Sequence, residues 1–351
     1  MADWRRALLG LVLPLPLCAM SAAAADGTRA RPLVAVVALN DGTEITDFLV
    51  PFATLAGAGV ADVVAVAGEA GPVQMLPAVR LALDTTLDSF DRDHPRGADW
   101  VVVPAVHHSD DPRLRAWLQH QAALGATVVG ICDGVWVLAG AGLLQGHTAT
   151  GHWYSLPSLR RTFPGVHWVD DRRYVHDGPV MTTTGVTASL PASVALVAML
   201  GGDDAARRAA SSLGVSGADA THDGSAFRLR PGHVWTAAAN ELLFWRYEVV
   251  GVPVHDGIDE VALALTADPL GRTYRTTVVT LAPTTGSIRT RHGLTILADA
   301  AAGSRPVTRV QTPDVEPPAA ALDNTLGVID EAYGAPTGEF VRLQLEFPGS
   351  R

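Results

Sequence analysis

The chain has 351 residues, a formal charge of −10, 48% hydrophobic and 18% charged residues, a globular balance with room for about two domains. All 26 basic residues are arginine, which excludes Schiff-base lysine chemistry and a P-loop lysine. No basic stripe marks a nucleic-acid surface, so no nucleic-acid partner is expected.

Arg5 and Arg6 precede an apolar run from Ala7 to Ala19, and Ala23-Ala24-Ala25 fits a small-residue cleavage site. Residues 1–25 are predicted to be a signal peptide, with the arginine pair pointing to twin-arginine export. The apolar run is short for a bilayer span and holds Pro14 and Pro16. The expected location is therefore periplasmic or secreted, with no stable membrane anchor after cleavage. Cleavage removes Cys18 and leaves Cys132 as the single thiol, so no internal disulfide is available.

Leu33 to Leu39 reads as the first central strand, Asn40-Asp41-Gly42 as a turn, and Glu44 to Leu55 as a helix. Asp62 to Ala67 is a second strand, Leu81 to Leu83 a short one, and Trp100 to Pro104 a third long one followed by a helix from Pro112 to Leu124. Thr127 to Ile131 is a buried parallel strand, and Val135 to Ala141 opens a helix. This alternation predicts an α/β, doubly wound parallel sheet. Ligands of such sheets sit at the carboxyl ends of strands. Gly42-Thr43-Glu44, Pro104-Ala105-Val106-His107 and Cys132 all lie at such ends and should converge on one pocket. Cys132, set between Gly130 and Gly134 at a strand-to-helix turn, reads as a nucleophile elbow. A helix N-terminus favours thiolate there; the competing reading is a buried structural cysteine.

Residues 155–163 are predicted as a helix. Arg173 to His176 and Val180 to Thr183 form a hairpin around Asp177-Gly178, and an apolar helix runs from Leu190 to Leu200. Gly201-Gly202 closes the first domain, 26–202. Residues 203–247 read as a polar linker, with one helix from Ala205 to Leu213 and a docking helix from Val234 to Trp245. Ser304 to Pro318 reads as an extended loop and Phe340 to Phe347 as a final edge strand. The second half echoes the first at an offset of 215 residues. Asp256-Gly257 matches Asp41-Gly42, Val278-Val279 matches Val63-Val64, and Asp299 matches Asp84. Residues 248–351 are read as a degenerate partial repeat without the cysteine, a packing or dimerising lobe lacking chemistry. Chance similarity between two β/α units is the alternative.

His107-His108-Ser109-Asp110-Asp111 looks superficially like a metal cluster. Adjacent histidines on an extended stretch point to opposite sides and do not readily chelate one ion, so neither a metal nor a cofactor is expected. Trp136 and Trp153 read as core residues, with Trp153 also placed to line the pocket.

Taken together, Asp41-Gly42-Thr43-Glu44-Ile45-Thr46-Asp47, Gly130-Ile131-Cys132-Asp133-Gly134, Leu138 to Gly146, Ala149-Thr150-Gly151-His152-Trp153 and Thr184 to Ala188 resemble the ThiJ/PfpI superfamily. Within it they resemble the branch holding isonitrile hydratases and the amidase-like domain of AraC-type regulators. The resemblance spans about Leu33 to Gly202. It implies a flavodoxin-like sandwich related to class I glutamine amidotransferases, and a homodimer. AraC-type DNA-binding helices are not apparent downstream. The resemblance further implies Cys132 as nucleophile, Glu44 as a carboxyl donating to the sulfur and lowering its pKa, and Asp47 as acid/base. It places an oxyanion hole at the N–H of Asp133 and one from the Pro104-Ala105-Val106 turn. The chain departs from the pattern at Ala105 and Val106, where relatives carry two glycines. It departs again at Asp133, where protease-like relatives carry histidine, and at Pro191, a position often acidic. His152 is the remaining histidine able to orient substrate or shuttle a proton; the alternative is a half-buried histidine satisfied by backbone. The expected function is a hydratase- or hydrolase-type activity on a small electrophilic substrate. The opposing reading is a non-catalytic ligand-binding module or a redox-sensing thiol.

Overall fold

Six consecutive buried residues, Leu33–Ala38, form β1, the central strand about which the first half is built. The structure is a computed structural model that describes residues 29–284 and 286–347; the expected leader, with Cys18, lies outside them. After β1 come α1 (Ile45–Ala58), β2 (Asp62–Ala67), β3 (Thr85–Thr86), α2 (Leu87–Asp93), β4 (Trp100–Val103), α3 (Pro112–Ala123), β5 (Thr127–Gly130), α4 (Val135–Gly140) and α5 (Leu156–Thr162). The hairpin β6 (Tyr174–Asp177) and β7 (Val180–Thr183) and the long α6 (Ser189–Leu213) complete this half. The sheet order is β6-β7-β5-β4-β1-β2-β3, with all neighbours parallel except the β6–β7 hairpin. Its core, β2-β1-β4-β5-β7, runs second-first-third-fourth-fifth, the flavodoxin-like doubly wound order.

Strand alternation builds the two faces. Val34, Val36 and Ala38 pack with α1 and α6, whereas Leu33, Ala35 and Val37 pack with Leu114, Trp117, Val135 and Leu138 on the other side. Such β-branched runs, buried on both faces, are what a covered parallel sheet requires. Gly201-Gly202 does not end α6. Gly202 takes φ 78°, ψ 173°, and the helix resumes beyond this kink, because glycine tolerates positive φ without steric cost.

The second half contains α7 (Pro231–Leu242), β8 (Glu248–Pro253), α8 (Glu260–Gly271), β9 (Thr276–Ala282), β10 (Ala300–Ala301), β11 (Arg309–Val310), α9 (Ala320–Tyr333) and α10 (Ala335–Gln344). Its parallel sheet runs β10-β9-β8-β11, the order of β3-β2-β1-β4. The starts of β1 and β8, of α1 and α8, and of β3 and β10 are each 215 residues apart (248 − 33). Two hairpins, Pro72–Ala82 and Ser287–Leu297, join in one five-stranded sheet in which Ile296 lies opposite Leu81, again 215 residues apart. Helix α1 packs against both α6 and α8.

The predicted edge strand Phe340–Phe347 is instead the end of α10 and a turn. Pro336 suits a first helical turn. Thr337, Phe340 and Val341 are buried at i, i+3, i+4 spacing, and α10 packs on α9. That packing overrides the apparent alternation.

Candidate active site

Beyond β5 the chain passes through Ile131 into a short 3-10 turn, Cys132–Gly134, which leads into α4. Cys132 has φ +52°, a left-handed conformation that is strained for a side-chain-bearing residue and typical of an elbow. Its N–H donates to Thr183 Oγ1 at 3.1 Å, tying the turn to the end of β7. Gly134 lets the turn press on β4, since a Cβ there would lie 2.1 Å from the Val103 carbonyl oxygen.

The thiol is 7% exposed. Burial pushes its pKa well above the ordinary range, and the carboxylates of Asp47, Asp133, Glu44 and Glu346 push it the same way. The expectation of a resting thiolate is thereby overturned. Desolvation outweighs the partial charge at the start of a six-residue helix.

Glu44 is the N-cap of α1. Its Oε2 accepts from Asp47 N at 2.6 Å and its Oε1 from Arg272 Nη2 at 3.0 Å. The Asp268 carboxyl also lies within hydrogen-bonding reach of it, and the expected bond to the sulfur is not formed. Burial raises the Glu44 pKa well above the carboxyl range, as do Asp268 and Asp47, against the pull of Arg272. Asp47, fully buried, accepts from Ala105 N at 3.2 Å and from Ser189 Oγ at 3.4 Å. Burial, the largest cause, carries its pKa to about 7, although the Ala105 bond and Arg272 oppose it. The Ala105 N–H is thus committed to Asp47 rather than to an oxyanion. Val106 bridges to Thr43 through bonds made by its neighbours, Glu44 N to the Ala105 carbonyl and His107 N to the Gly42 carbonyl, so the expected second oxyanion donor from this turn narrows to the Val106 N–H. Asp133 keeps its place in the elbow turn, with its Oδ1 buried and unpartnered.

Sequence reasoning missed Arg272. At the C-terminal end of α8, its Nε donates to Asp268 Oδ1 at 2.6 Å and its Nη2 to Asp268 Oδ2 at 3.3 Å as well as to Glu44. Asp268, also buried, takes a bond from Thr46 Oγ1. Arg272 also lies within electrostatic reach of Cys132. The second half therefore contributes a charged group to the site, contrary to the expectation of a lobe without chemistry. The available signal was an aspartate and an arginine at i, i+4 in an otherwise apolar helix.

The C-terminal segment covers the other side. Glu346 accepts from Trp153 N at 2.7 Å and Gly185 N at 2.9 Å, and Gln344 Nε2 donates to the Arg272 carbonyl. His152 Nδ1 accepts from Tyr154 N, so its Nε2 carries the proton and donates to the Gln344 carbonyl at 3.1 Å. Both ring nitrogens are engaged by backbone, and the expected proton-shuttle role for His152 gives way to the structural one. Trp153 donates Nε1 to the Leu343 carbonyl and lines a cavity of about 140 Å³ with His222, Phe227 and Glu346. His107 sits exposed at the rim, its N–H bonded to the Gly42 carbonyl. The backbone bends at His107, so the His107 and His108 rings stack at 4.7 Å and 11° instead of pointing apart.

A carboxyl whose folded pKa is raised adds stability below its unfolded value of about 3.9 and loses it as pH rises through about 7. Stability is expected to fall between pH 4 and 7, by on the order of 1 kcal/mol per pH unit from Asp47. In Asp47→Asn that slope should flatten in urea titrations run across the window; an unchanged slope would remove Asp47 as its source.

Residues 34–199 match the family model described as DJ-1/PfpI family. The chain is 36% identical over 110 residues to the HTH-type transcriptional regulator GlxA of Rhizobium meliloti, covering 31% of each protein. It is 38% identical over 101 residues to the isonitrile hydratase of Pseudomonas putida, covering 28% of this chain and 42% of the hydratase. With the Parkinson disease protein 7 homolog of Danio rerio it shares 29% identity over 181 residues, 49% of this chain and 92% of that one. The chain thus spans less than half the length of the regulator and the hydratase that it matches.

Proposed function

Residues 34–199 form a domain of the DJ-1/PfpI family, and from that premise we propose that the protein is a cysteine-dependent hydratase acting on a small neutral electrophilic carbon, of the isonitrile type. The carrying observation is Asp47, a buried carboxyl at about 7 within electrostatic reach of a strained elbow thiol. A group titrating near neutrality can both take and return a proton. Cys132 rests as a neutral thiol, so attack needs that base. As Sγ bonds to the substrate carbon, the thiol proton passes to the Asp47 carboxylate, and the resulting acid returns it to that carbon. Water then adds to the same carbon and the C–S bond breaks, with sulfur recovering a proton, for a net addition of one water. A neutral substrate suits a buried site that already crowds three carboxyl groups around one arginine. The similarity to isonitrile hydratase supports the substrate class.

The test is formamide production from an aliphatic isonitrile, followed by NMR. Turnover is expected, lost in Cys132→Ala and reduced on the order of 10²–10⁴-fold in Asp47→Asn. Iodoacetamide should modify Cys132 slowly at pH 8 and faster only above the ordinary thiol range. The elevated thiol pKa also disfavours redox sensing, because oxidation follows thiolate character. Absence of turnover, or full activity in Cys132→Ala, would overturn the hydratase reading in favour of ligand binding.

We further read residues 248–302 as a degenerate second copy of residues 33–87 that serves as a built-in partner. The shared sheet order, the constant offset and the pairing of Ile296 with Leu81 support a pseudo-two-fold relation between the two segments. On this reading the face of α1 and its hairpin, which a homodimer would use, is filled from within the chain, and α8 delivers Arg272 to the site.

A further inference from the structure

We propose that Asp41, His107 and His108 bind one divalent transition-metal ion at the carboxyl-end rim of the sheet. Asp41 lies in the turn after β1 and the histidines in the loop after β4, and these two strands are paired neighbours. Backbone bonds zip the two loops together: Glu44 N donates to the Ala105 carbonyl and His107 N to the Gly42 carbonyl, both at 2.9 Å, with Thr43 bridged to Val106. Gly42 permits this approach, since a Cβ there would lie 3.0 Å from His107 Cβ. The backbone thereby sets Asp41 against the histidines before any side chain turns.

The bend at His107 brings both imidazoles to one side, with rings 4.7 Å apart and 11° from parallel; because an imidazole binds a metal in its ring plane, one exposed ring turns out of the stack when the ion is held. One ligating atom from each of the three residues lies within 4.8 Å of the others, and His108 Nε2 is 2.9 Å from Asp41 Oδ2. Ligands about 2.0–2.2 Å from a tetrahedral ion stand about 3.3–3.6 Å apart, between the 2.9 Å of the His108–Asp41 pair and the 4.8 Å limit of the cluster. All three side chains are exposed and free to adjust to that spacing. Two imidazoles and one carboxylate form a borderline set that suits zinc, nickel or copper better than magnesium or calcium. Three protein ligands leave coordination positions for water or a small ligand. A cleft of about 280 Å³, lined by Asn40, Glu69, Asp111 and Arg113, adjoins Asp41 and His108. A simple ion pair between His108 and Asp41 would not need His107, and this distinguishes the two readings.

The experiment is calorimetric titration of the untagged full chain with zinc chloride, repeated with cobalt(II) for its visible spectrum. One ion per chain is expected. Each of Asp41→Ala, His107→Ala and His108→Ala should weaken binding by more than the roughly 10–100-fold lost when only a supporting group is removed. Thermal melting of each variant without metal should match the parent, because the residues are exposed. Three results would overturn the proposal: no binding, binding retained in the triple variant, or a His107→Ala variant that binds as tightly as the parent. The last would reduce the cluster to its ion pair.

Discussion

Replacing Arg272 with methionine is expected to destabilise the protein by about 3–5 kcal/mol, the range for breaking a buried charge pair by removing one partner. Methionine keeps most of the apolar stem, so the loss reports the guanidinium. Without it, Asp268, whose side chain is 1% exposed, and Glu44, at 11%, lose their shared cation. Removing both charges together, in Arg272→Met with Asp268→Leu, should recover much of the loss, since an apolar replacement of a buried pair is often neutral. Urea unfolding of the three variants measures this. A single-variant loss below about 1 kcal/mol would match an exposed pair. It would deny that α8 anchors the site, and with it the built-in-partner reading.

Gly134→Ala should be nearly as damaging, costing about 3 kcal/mol, at the upper end for overpacking. Its φ of −57° is ordinary for alanine, so the cost is not conformational. The added methyl would stand 2.1 Å from the Val103 carbonyl oxygen and 2.8 Å from that of Pro104. Both are backbone atoms at the end of a sheet strand and cannot swing aside as a side chain would. The elbow must therefore lift, moving Cys132 away from Asp47. Gly142→Ala is the control: that glycine has positive φ but nothing near its missing Cβ, so its cost should be conformational only and smaller. Unfolding midpoints together with isonitrile turnover check the pair. Equal stability in Gly134→Ala and the parent would mean that strand and elbow are not in the contact described.

What the sequence by itself determined was local and periodic. The apolar runs located β1, β2, β4 and β5 to within a residue or so, and their alternation with helices specified a doubly wound sheet. The strand-end rule pointed Glu44, Ala105 and Cys132 toward one place, and Asp47, which only the family resemblance named, links the first two by accepting from Ala105 N while its own N–H donates to Glu44. These features follow from backbone periodicity and burial pattern, which neighbouring residues encode.

What only the tertiary structure decided was the electrostatic state of that place. Whether Cys132 rests as thiol or thiolate depends on how completely packing removes water, and the helix-terminus argument misjudged that balance. Arg272 meets Glu44 across 228 residues of chain, and Glu346 meets Trp153 across 193. No local pattern specifies such encounters. The same holds for α10, where packing against α9 selected helix over an alternating strand pattern. It holds for His107 and His108, where one bend fixed by Gly42 replaced opposition with stacking. Sequence period assigns which face a residue occupies; the partner on that face, and the charge it then carries, are set only when distant segments close over it.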